Sequence, residues 1–227
     1  MAGTLYGIGV GPGDPDYLTL KAIKCMEKVD IIAAPGQVVE ETTAYKIAVQ
    51  AAPFIEEKEK APIFMPMIMD RAKMEDAHRD GAAAVIQLLE EGKDVGFLTL
   101  GDTTIYSTFS YIEKIVKAGG YNTVYISGIP SFCAAAAEIG IPLCEWTEPL
   151  HVIPAVHKLD EKLPANGNYV LMKSGSKMAQ VKEILRESRD NVSMVENCGM
   201  PDQKVYRSVD ETPDDAGYFS LIIAKEK

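Results

Sequence analysis

The sequence lacks an excess of positive charge, which narrows the kinds of partner that it could bind. Its formal net charge is −10 at pH 7. Proteins that bind nucleic acids usually present a basic surface, so this charge balance argues against that class of function. It does not exclude a local basic pocket, because net charge says nothing about where the charges lie. We expect no nucleic-acid partner.

The sequence also lacks the cysteine and histidine spacings that are typical of metal and redox sites. It contains four cysteines, namely Cys25, Cys133, Cys144 and Cys198. No two of them form a C-x-x-C pair, and no histidine lies at zinc-finger spacing from them. We therefore expect reduced thiols in a cytoplasmic protein, and no bound metal.

Long apolar runs and targeting signals are missing as well. No stretch approaches the ~20 apolar residues that would span a bilayer, so no membrane partner is expected. The first residues lack the basic flank and the long apolar run of a signal peptide. The 227 residues, 47% of them hydrophobic, are enough to bury a sizeable core in one large domain or two small ones.

Strand and helix patterns alternate in the first half of the chain. Buried strands are predicted at 4–10, 30–34 and 94–100, and helices from about Leu18 and at 42–52, 70–91 and 108–117. The proline-containing segment 61–69 is predicted to be extended or a loop. This alternation predicts a mainly parallel sheet.

The pair Gly119 and Gly120 interrupts the pattern and is the best linker candidate, which predicts domains at 1–118 and 119–227. The second half is predicted to contain strands at 122–127, 150–155 and 168–172, and helices at 131–139 and 178–186. Three successive strands then follow without helices between them, at 192–197, 204–209 and 218–224. The fold class is therefore α/β in two domains, with a mixed sheet in the second.

The first strand runs into a loop with the sequence Gly-Val-Gly-Pro-Gly-Asp-Pro at 9–15. Glycines at the carboxyl end of a parallel strand suggest a dinucleotide site. However, Pro12 removes an N–H that a phosphate cradle would use, and the Asp14–Pro15 step delays the next helix. The second strand ends in Ala34 and Pro35, where a ribose-binding acid would be expected. A tight turn packed against a helix is the alternative interpretation of this loop.

A second loop, at 99–109, follows the strand at 94–100 and contains Gly101 and Asp102. Its hydroxyl side chains suit two roles, because they could cap the following helix or contact a ligand. These hydroxyl residues are Thr103, Thr104, Ser107 and Thr108. The sequence leaves both roles open.

Five ordered motifs between residues 4 and 224 resemble the tetrapyrrole methylases, which are two-domain methyltransferases of cobalamin and sirohaem synthesis. The motifs are the glycine loop with Leu-Thr-Leu-Lys-Ala at 18–22, Gly-Asp-Thr at 101–103 where the family has Gly-Asp-Pro, Gly-Ile-Pro-Ser at 128–131, a strand ending in Met172, and Glu-Asn-Cys-Gly-Met-Pro-Asp-Gln at 196–203. Segments 98–111 and 128–132 are most similar to the branch that methylates C-20 of precorrin-2 or of cobalt-factor II.

The resemblance implies that S-adenosylmethionine binds in a cleft between the two domains and leaves as S-adenosylhomocysteine. The implied cofactor-binding residues are Gly101, Asp102, Thr103, Ile105, Thr108, Phe109, Ser131, Phe132, Met172, Asn197 and Cys198. Met172 and Cys198 would flank the adenine, with Leu221 and Ile222 nearby. Cys198 is interpreted as a packing residue and not as a nucleophile.

The resemblance also implies a tetrapyrrole acceptor and a homodimer. The glycine loop would face the acceptor through Gly11, Pro12, Gly13 and Asp14. The candidate bases for the C-20 proton are Asp14, Asp102 and Tyr106. Acceptor carboxylates would need a cation, and the sequence does not choose among Lys21, Arg71, Lys73 and Lys173. His78, His151 and His157 are interpreted as surface or structural residues.

Three rival functions stay open on the sequence. The first is methylation of another ring position, or of another acceptor by the same fold. The second is a nicotinamide-dependent oxidoreductase, which the missing ribose acid already disfavours. The third is a non-catalytic tetrapyrrole carrier. The sequence also does not decide whether the acceptor already holds cobalt.

Overall fold

The structure is a computed structural model that describes residues 1–66, 70–154, 166–174, 178–188 and 191–226. The chain divides into two compact units, Met1–Pro130 and Ser131–Lys227. Each unit is built around one five-stranded sheet.

The first unit contains a fully parallel sheet with the strand order β3-β2-β4-β1-β5. Its strands are β1 (Thr4–Gly9), β2 (Ile31–Pro35), β3 (Glu59–Ile63), β4 (Val95–Thr99) and β5 (Asn122–Ile126). Because the strands are parallel, all their carboxyl ends lie at the same edge of the sheet. The predicted parallel sheet is confirmed.

Helices cover both faces of this sheet. They are α1 (Leu20–Lys28), α2 (Thr43–Ala51), α3 (Arg71–Glu90) and α4 (Phe109–Ala118). A hydrophobic core lies on each face of the sheet, and successive side chains of β2 point to opposite faces. Ile32 packs with α1 and α2, whereas Ile31 packs with α3 and α4. The apolar runs of the strands follow from this burial on both faces.

The glycine loop does not lead directly into α1. A 3-10 turn at Pro15–Tyr17 comes first, and α1 begins only at Leu20, where the Thr19 hydroxyl accepts a hydrogen bond from Ala22 N at 3.1 Å. Further 3-10 turns lie at Val39–Glu41 and Pro53–Glu57. The predicted delay of the helix is confirmed, so its N-terminus does not form the usual phosphate site.

The segment 61–69, predicted to be extended or a loop, is extended at its beginning, which belongs to β3 and pairs with β2; residues 67–69 lie outside the described residues. One sequence prediction for the first unit is wrong. Strand 122–127 was assigned to the second domain, but β5 pairs with β1 in the first sheet. The glycine pair at 119–120 only ends α4, with Gly120 at a φ of +89°. A glycine pair is typical both of a helix end and of a domain linker. Only the pairing of β5 with β1 shows that the helix end is the correct interpretation here.

The second unit contains a mixed sheet with the order β6-β7-β10-β8-β9. Its elements are α5 (Ser131–Ile139), β6 (Leu150–Pro154), β7 (Asn168–Met172), α6 (Met178–Ser188), β8 (Asn191–Glu196), β9 (Lys204–Tyr206) and β10 (Ser220–Lys225). Among the described strands of this sheet, only β6 and β7 pair in parallel, and the other pairs are antiparallel. The predicted mixed sheet is confirmed; residue 155, the predicted end of β6, lies outside the described residues.

The segment between β9 and β10 is fastened to α6. The buried ammonium of Lys182 donates hydrogen bonds to Thr212 O at 2.7 Å and to Asp214 Oδ1 at 2.8 Å. Arg186 pairs with Asp210 at 2.6 Å. The hydrogen bond from Lys182 lowers the pKa of the Asp214 carboxyl. These contacts fix the course of the chain as it approaches the start of β10.

Candidate active site

The two motif loops of the first unit are hydrogen-bonded to each other. Gly11 N donates to Gly101 O at 3.2 Å, and Gly101 N donates to Gly11 O at 2.7 Å. Both residues have positive φ, +78° and +73°, which glycine adopts without strain. Because β1 and β4 are neighbours, motifs that are 90 residues apart in the chain meet at the carboxyl edge of the sheet.

A third loop, after β5, joins this pair. A Cβ atom on Gly128 would lie 2.2 Å from Gly101 O and 2.8 Å from Gly9 C. The backbones after β1, β4 and β5 therefore touch at a point where no side chain fits. We call Gly9, Gly101 and Gly128 the glycine junction.

Asp102 holds the glycine junction together. Its Oδ2 accepts a hydrogen bond from Gly128 N at 3.0 Å, and its Oδ1 accepts one from Thr104 N at 2.8 Å and another from the Thr104 hydroxyl. The side chain is buried. Both carboxylate oxygens already serve the fold, which favours a positioning role over the predicted role as base.

Asp14 differs from Asp102 in what its carboxylate contacts. Its Oδ1 accepts from Asp16 N at 2.9 Å and so caps the 3-10 turn, whereas its Oδ2 has no hydrogen-bond partner among the described residues. The side chain is partly exposed, while Gly11, Pro12 and Gly13 before it are buried. Of the two candidate aspartates, Asp14 is the one that keeps an oxygen for a ligand.

The segment that follows Asp102 presents some side chains and buries others. Thr103 is fully buried, and its hydroxyl donates to Ile126 O at 3.4 Å. Tyr106 is 49% exposed and has a φ of +48°, a strained conformation for a bulky residue. Ile105 is half-buried and Thr108 is exposed. The hydroxyl that accepts from the first turn of α4 is Ser107, whose Oγ lies 3.1 Å from Phe109 N; Thr108 makes no capping bond.

Phe109, which was predicted to contact the cofactor, lies in the core of the first unit. Its side chain is fully buried and packs against Phe97, Tyr125 and the backbone of Gly7, where a Cβ would lie 2.4 Å from the ring. The periodicity of α4 already predicted an inward-facing position, and the full burial of the ring favours a packing role.

We expect Phe109→Leu to lower the free energy of unfolding by about 1 kcal/mol, because the smaller side chain leaves part of its site in the core empty. The affinity for S-adenosylhomocysteine should change less than twofold. Urea unfolding and calorimetry measure the two effects separately. A tenfold weaker affinity in a folded variant would instead assign the ring to the cofactor.

In the second unit, three of the predicted residues lie at one edge of the sheet. Met172, at the end of β7, is paired with Leu221, near the start of β10. Asn197 directly follows β8, and its N–H donates to Phe219 O at 3.2 Å. Asn197 and Lys173, the residue after Met172, both have positive φ, +53° and +59°. For lysine, strain of this kind costs about 1–3 kcal/mol and is frequent at functional sites, whereas asparagine tolerates positive φ.

Cys198 lies beside this edge in a buried position. Burial, with a smaller effect of the nearby Glu138 charge, raises the pKa of the Cys198 thiol to about 11. The thiol is therefore protonated at neutral pH, which agrees with a packing role. The residues around it are held by Gln203, which accepts from Gly199 N at 2.6 Å and donates to Glu138 at 3.0 Å.

Ser131 and Phe132 begin α5, which packs against β8 and β10. Ser131 is half-buried, whereas Phe132 is only 8% exposed and belongs mainly to the core of its unit. Of the two, Ser131 is thus the residue with surface available to a ligand.

The four candidate cations differ in whether they form an ion pair with another residue. Arg71 pairs with Glu75 at 2.9 Å and Lys73 with Asp70 at 3.5 Å. Neither Lys21 nor Lys173 forms an ion pair with another described residue.

Two histidines stack on tyrosines, His78 on Tyr111 and His151 on Tyr169, and burial lowers the pKa of His78. His157 lies outside the described residues.

Sequence reasoning missed three residues beside the predicted ones at the edge of the second sheet. Tyr218 and Phe219 are exposed aromatic side chains in edge-to-face contact, with ring centroids 5.3 Å apart. Ser174 is fully buried, and its hydroxyl has no hydrogen-bond partner among the residues that the structure describes. The exposed pair could have been suspected from two aromatic residues next to a buried strand; no sequence signal marks Ser174.

In the described part of the chain, no helix is long and apolar enough to cross a membrane. Within the same residues, His, Cys, Asp and Glu side chains do not form a group of three or more that could hold a metal ion.

Comparison with known proteins identifies the family. A profile described as Tetrapyrrole (Corrin/Porphyrin) Methylases matches residues 4–212, and the chain belongs to this family. Among individual relatives, a Methanocaldococcus jannaschii protein named "Probable cobalt-precorrin-2 C(20)-methyltransferase" is 32% identical, over 97% of this chain and 95% of its own length. The cobalt-precorrin-2 C(20)-methyltransferase of Salmonella typhimurium is 29% identical, over 100% of this chain and 98% of its own length.

Solved structures agree on the fold. The uroporphyrin-III-C-methyltransferase of Thermus thermophilus superimposes with a TM-score of 0.72, covering 99% of this chain and 94% of that protein, at 20% identity. A cobalt precorrin-4 methyltransferase, CbiF, gives a TM-score of 0.71 at 20% identity, covering 98% and 94% of the two chains. At this level of identity the likeness concerns the fold alone.

Proposed function

We propose that the protein is an S-adenosylmethionine-dependent methyltransferase that acts on C-20 of precorrin-2 or cobalt-factor II in cobalamin biosynthesis. The observation that carries the proposal is the hydrogen-bonded pair of Gly11 and Gly101, which joins both motif loops at the ligand-binding edge of the first sheet. The names of the relatives from M. jannaschii and S. typhimurium support the C-20 position.

The residues present suit the cofactor. A buried hydroxyl without a partner is costly. The Ser174 hydroxyl, two residues after Met172, has no partner in the described part of the chain, which favours a polar ligand group nearby. S-adenosylmethionine has no phosphate, which agrees with Pro12 in the glycine loop and with the late start of α1. We assign the cofactor contacts to the predicted residues, without the core residue Phe109.

Methyl transfer depends mainly on the positioning of the methyl donor relative to the acceptor carbon. Bound S-adenosylmethionine supplies a methyl group on a sulfonium, whose leaving group is neutral. The glycine junction and Asp102 give the loop 101–105 a fixed course, so the groups that it presents are in place before the acceptor arrives. Alignment of this kind can lower a barrier by about 7–11 kcal/mol.

A proton must leave C-20 after methyl transfer, and Asp14 is the best placed of the three candidate bases. Its Oδ2 keeps its acceptor capacity, whereas both oxygens of Asp102 accept hydrogen bonds within the fold. Tyr106 is exposed on the strained segment after Asp102, and we assign it to acceptor contact. The buried residues Gly11, Pro12 and Gly13 support the loop that carries Asp14.

We also propose a cytoplasmic homodimer. Free thiols at all four cysteines support a reducing compartment, and family resemblance supports the dimer. Light scattering of the purified protein would measure the oligomeric state.

The function is tested by incubating the protein with S-adenosylmethionine and either precorrin-2 or cobalt-factor II, under anaerobic conditions. We expect one added methyl group by mass spectrometry, placed at C-20 by NMR with a ¹³C-labelled methyl donor. Comparison of the two acceptors also decides whether cobalt is required. Transfer to another carbon would overturn the C-20 assignment, and tetrapyrrole binding without formation of S-adenosylhomocysteine would indicate a carrier.

A further inference from the structure

The half-buried Lys173 and the exposed Tyr218 and Phe219 form a cluster in the second unit that the cofactor assignment does not use. The Lys173 ammonium lies 5.7 Å from the centre of the Tyr218 ring, and Phe219 meets that ring edge-to-face at 5.3 Å. Tyr218 is 46% exposed and Phe219 39% exposed. The cluster therefore combines an ammonium with two apolar, partly uncovered rings.

The fold brings these residues together and holds them. Met172 pairs with Leu221, so the chain leaving β7 lies beside the chain entering β10. The entering segment is fixed by Gly217 N, which donates to Glu196 at 2.7 Å, and by Phe219 O, which accepts from Asn197 N. On the other side, Lys173 is held at a φ of +59°, a backbone conformation that lysine rarely adopts. Both halves of the cluster are thus preorganised.

The charges decide which ligand suits the cluster. Lys173 forms no ion pair with a described residue, so its ammonium is available to an anion. Adenine carries no negative charge at neutral pH and gains little from an ammonium. A pyrrole ring with an acetate or propionate side chain offers a flat apolar face and a carboxylate a few bonds apart, which matches two rings and an ammonium.

We propose that Lys173, Tyr218 and Phe219 form a subsite for one carboxylate-bearing ring of the tetrapyrrole acceptor. The pyrrole face contacts the aromatic pair and its carboxylate binds the Lys173 ammonium. This inference rests on the proposed function, because it takes the acceptor to be a tetrapyrrole. It assigns the carboxylate contact that the sequence left open among four cations.

The test uses Lys173→Asn, because asparagine tolerates positive φ and so removes the charge with little change of backbone. We expect the KM for the acceptor to rise about tenfold, which corresponds to about 1.4 kcal/mol. The affinity for S-adenosylhomocysteine should stay within twofold by calorimetry. Lys173→Arg should restore most of the acceptor KM, and Tyr218→Leu should raise it without changing its dependence on salt.

A binding measurement gives a readout without turnover. Uroporphyrin III, which carries eight carboxylates, should bind the S-adenosylhomocysteine complex of Lys173→Asn less tightly than the wild-type complex, with a smaller salt dependence. Lys204→Asn is the matched control, since Lys204 is an exposed lysine on β9 of the same sheet, and it should bind like the wild type.

The outcomes separate the two proposals. An unchanged acceptor KM and unchanged uroporphyrin binding in Lys173→Asn, with an active wild type, would overturn the subsite alone. Loss of S-adenosylhomocysteine affinity with an unchanged acceptor KM would assign the cluster to the cofactor, and would also overturn it. A wild-type protein that methylates no tetrapyrrole would contradict the proposed function itself.

Discussion

Gly128→Ala should reduce methyl transfer by about a hundredfold and lower the free energy of unfolding by about 3 kcal/mol. The added Cβ would lie 2.2 Å from Gly101 O and 2.8 Å from Gly9 C, and both of these are backbone atoms. No rotation of a side chain can make room, so at least one of the three loops must move. Movement of the loop after β4 displaces Gly101 and Asp102 from their positions.

Steady-state kinetics and urea unfolding measure these two effects. Gly36→Ala is the matched control, because it makes the same change at the same sheet edge, after β2. The nearest atoms to its Cβ are the Thr42 methyl at 3.1 Å and Val38 O at 3.7 Å, so a small shift suffices. If Gly128→Ala behaved like Gly36→Ala, the glycine junction would not determine the shape of the site.

Asp102→Asn should lower the free energy of unfolding by about 2 kcal/mol, and Asp102→Ala by about 3 kcal/mol. The carboxylate accepts from Gly128 N on one oxygen and from Thr104 on the other. An asparagine amide keeps one acceptor and places a donor against the second N–H. Alanine leaves both N–H groups without this partner. Activity should fall in both variants because the loop is no longer held.

The pH dependence of kcat separates a positioning residue from a base. In Asp102→Asn we expect a lower kcat with an unchanged shape of the pH profile. Asp14→Asn is the informative comparison: its Oδ1 can still accept from Asp16 N, so stability should change little while kcat falls and its pH dependence changes. An Asp102→Asn variant of unchanged stability, with a pH profile of altered shape, would make Asp102 the base.

Local sequence patterns predicted the helices and strands better than they predicted which strands pair with each other. The long helix predicted at 70–91 is observed as Arg71–Glu90, and the three strands at the end of the chain are all present. The sequence does not separate an extended segment from a loop at 61–69; its beginning lies in β3, where Pro62 is tolerated because β3 is an edge strand. The position of β5 depends on pairing with β1, more than 110 residues earlier, which no local pattern contains.

The sequence by itself determined the family, because five motifs in fixed order are each readable from a few neighbouring residues. It also determined the alternation that builds a parallel sheet in one unit and a mixed sheet in the other. Only the tertiary structure decided what the side chains of those motifs do. Asp102 is engaged by Gly128, 26 residues away, Phe109 is covered by β1 and β5, and Lys173 meets Tyr218 across neighbouring strands. These contacts join residues that are far apart in the chain. Only the folded structure therefore decides which side chains remain available to a ligand.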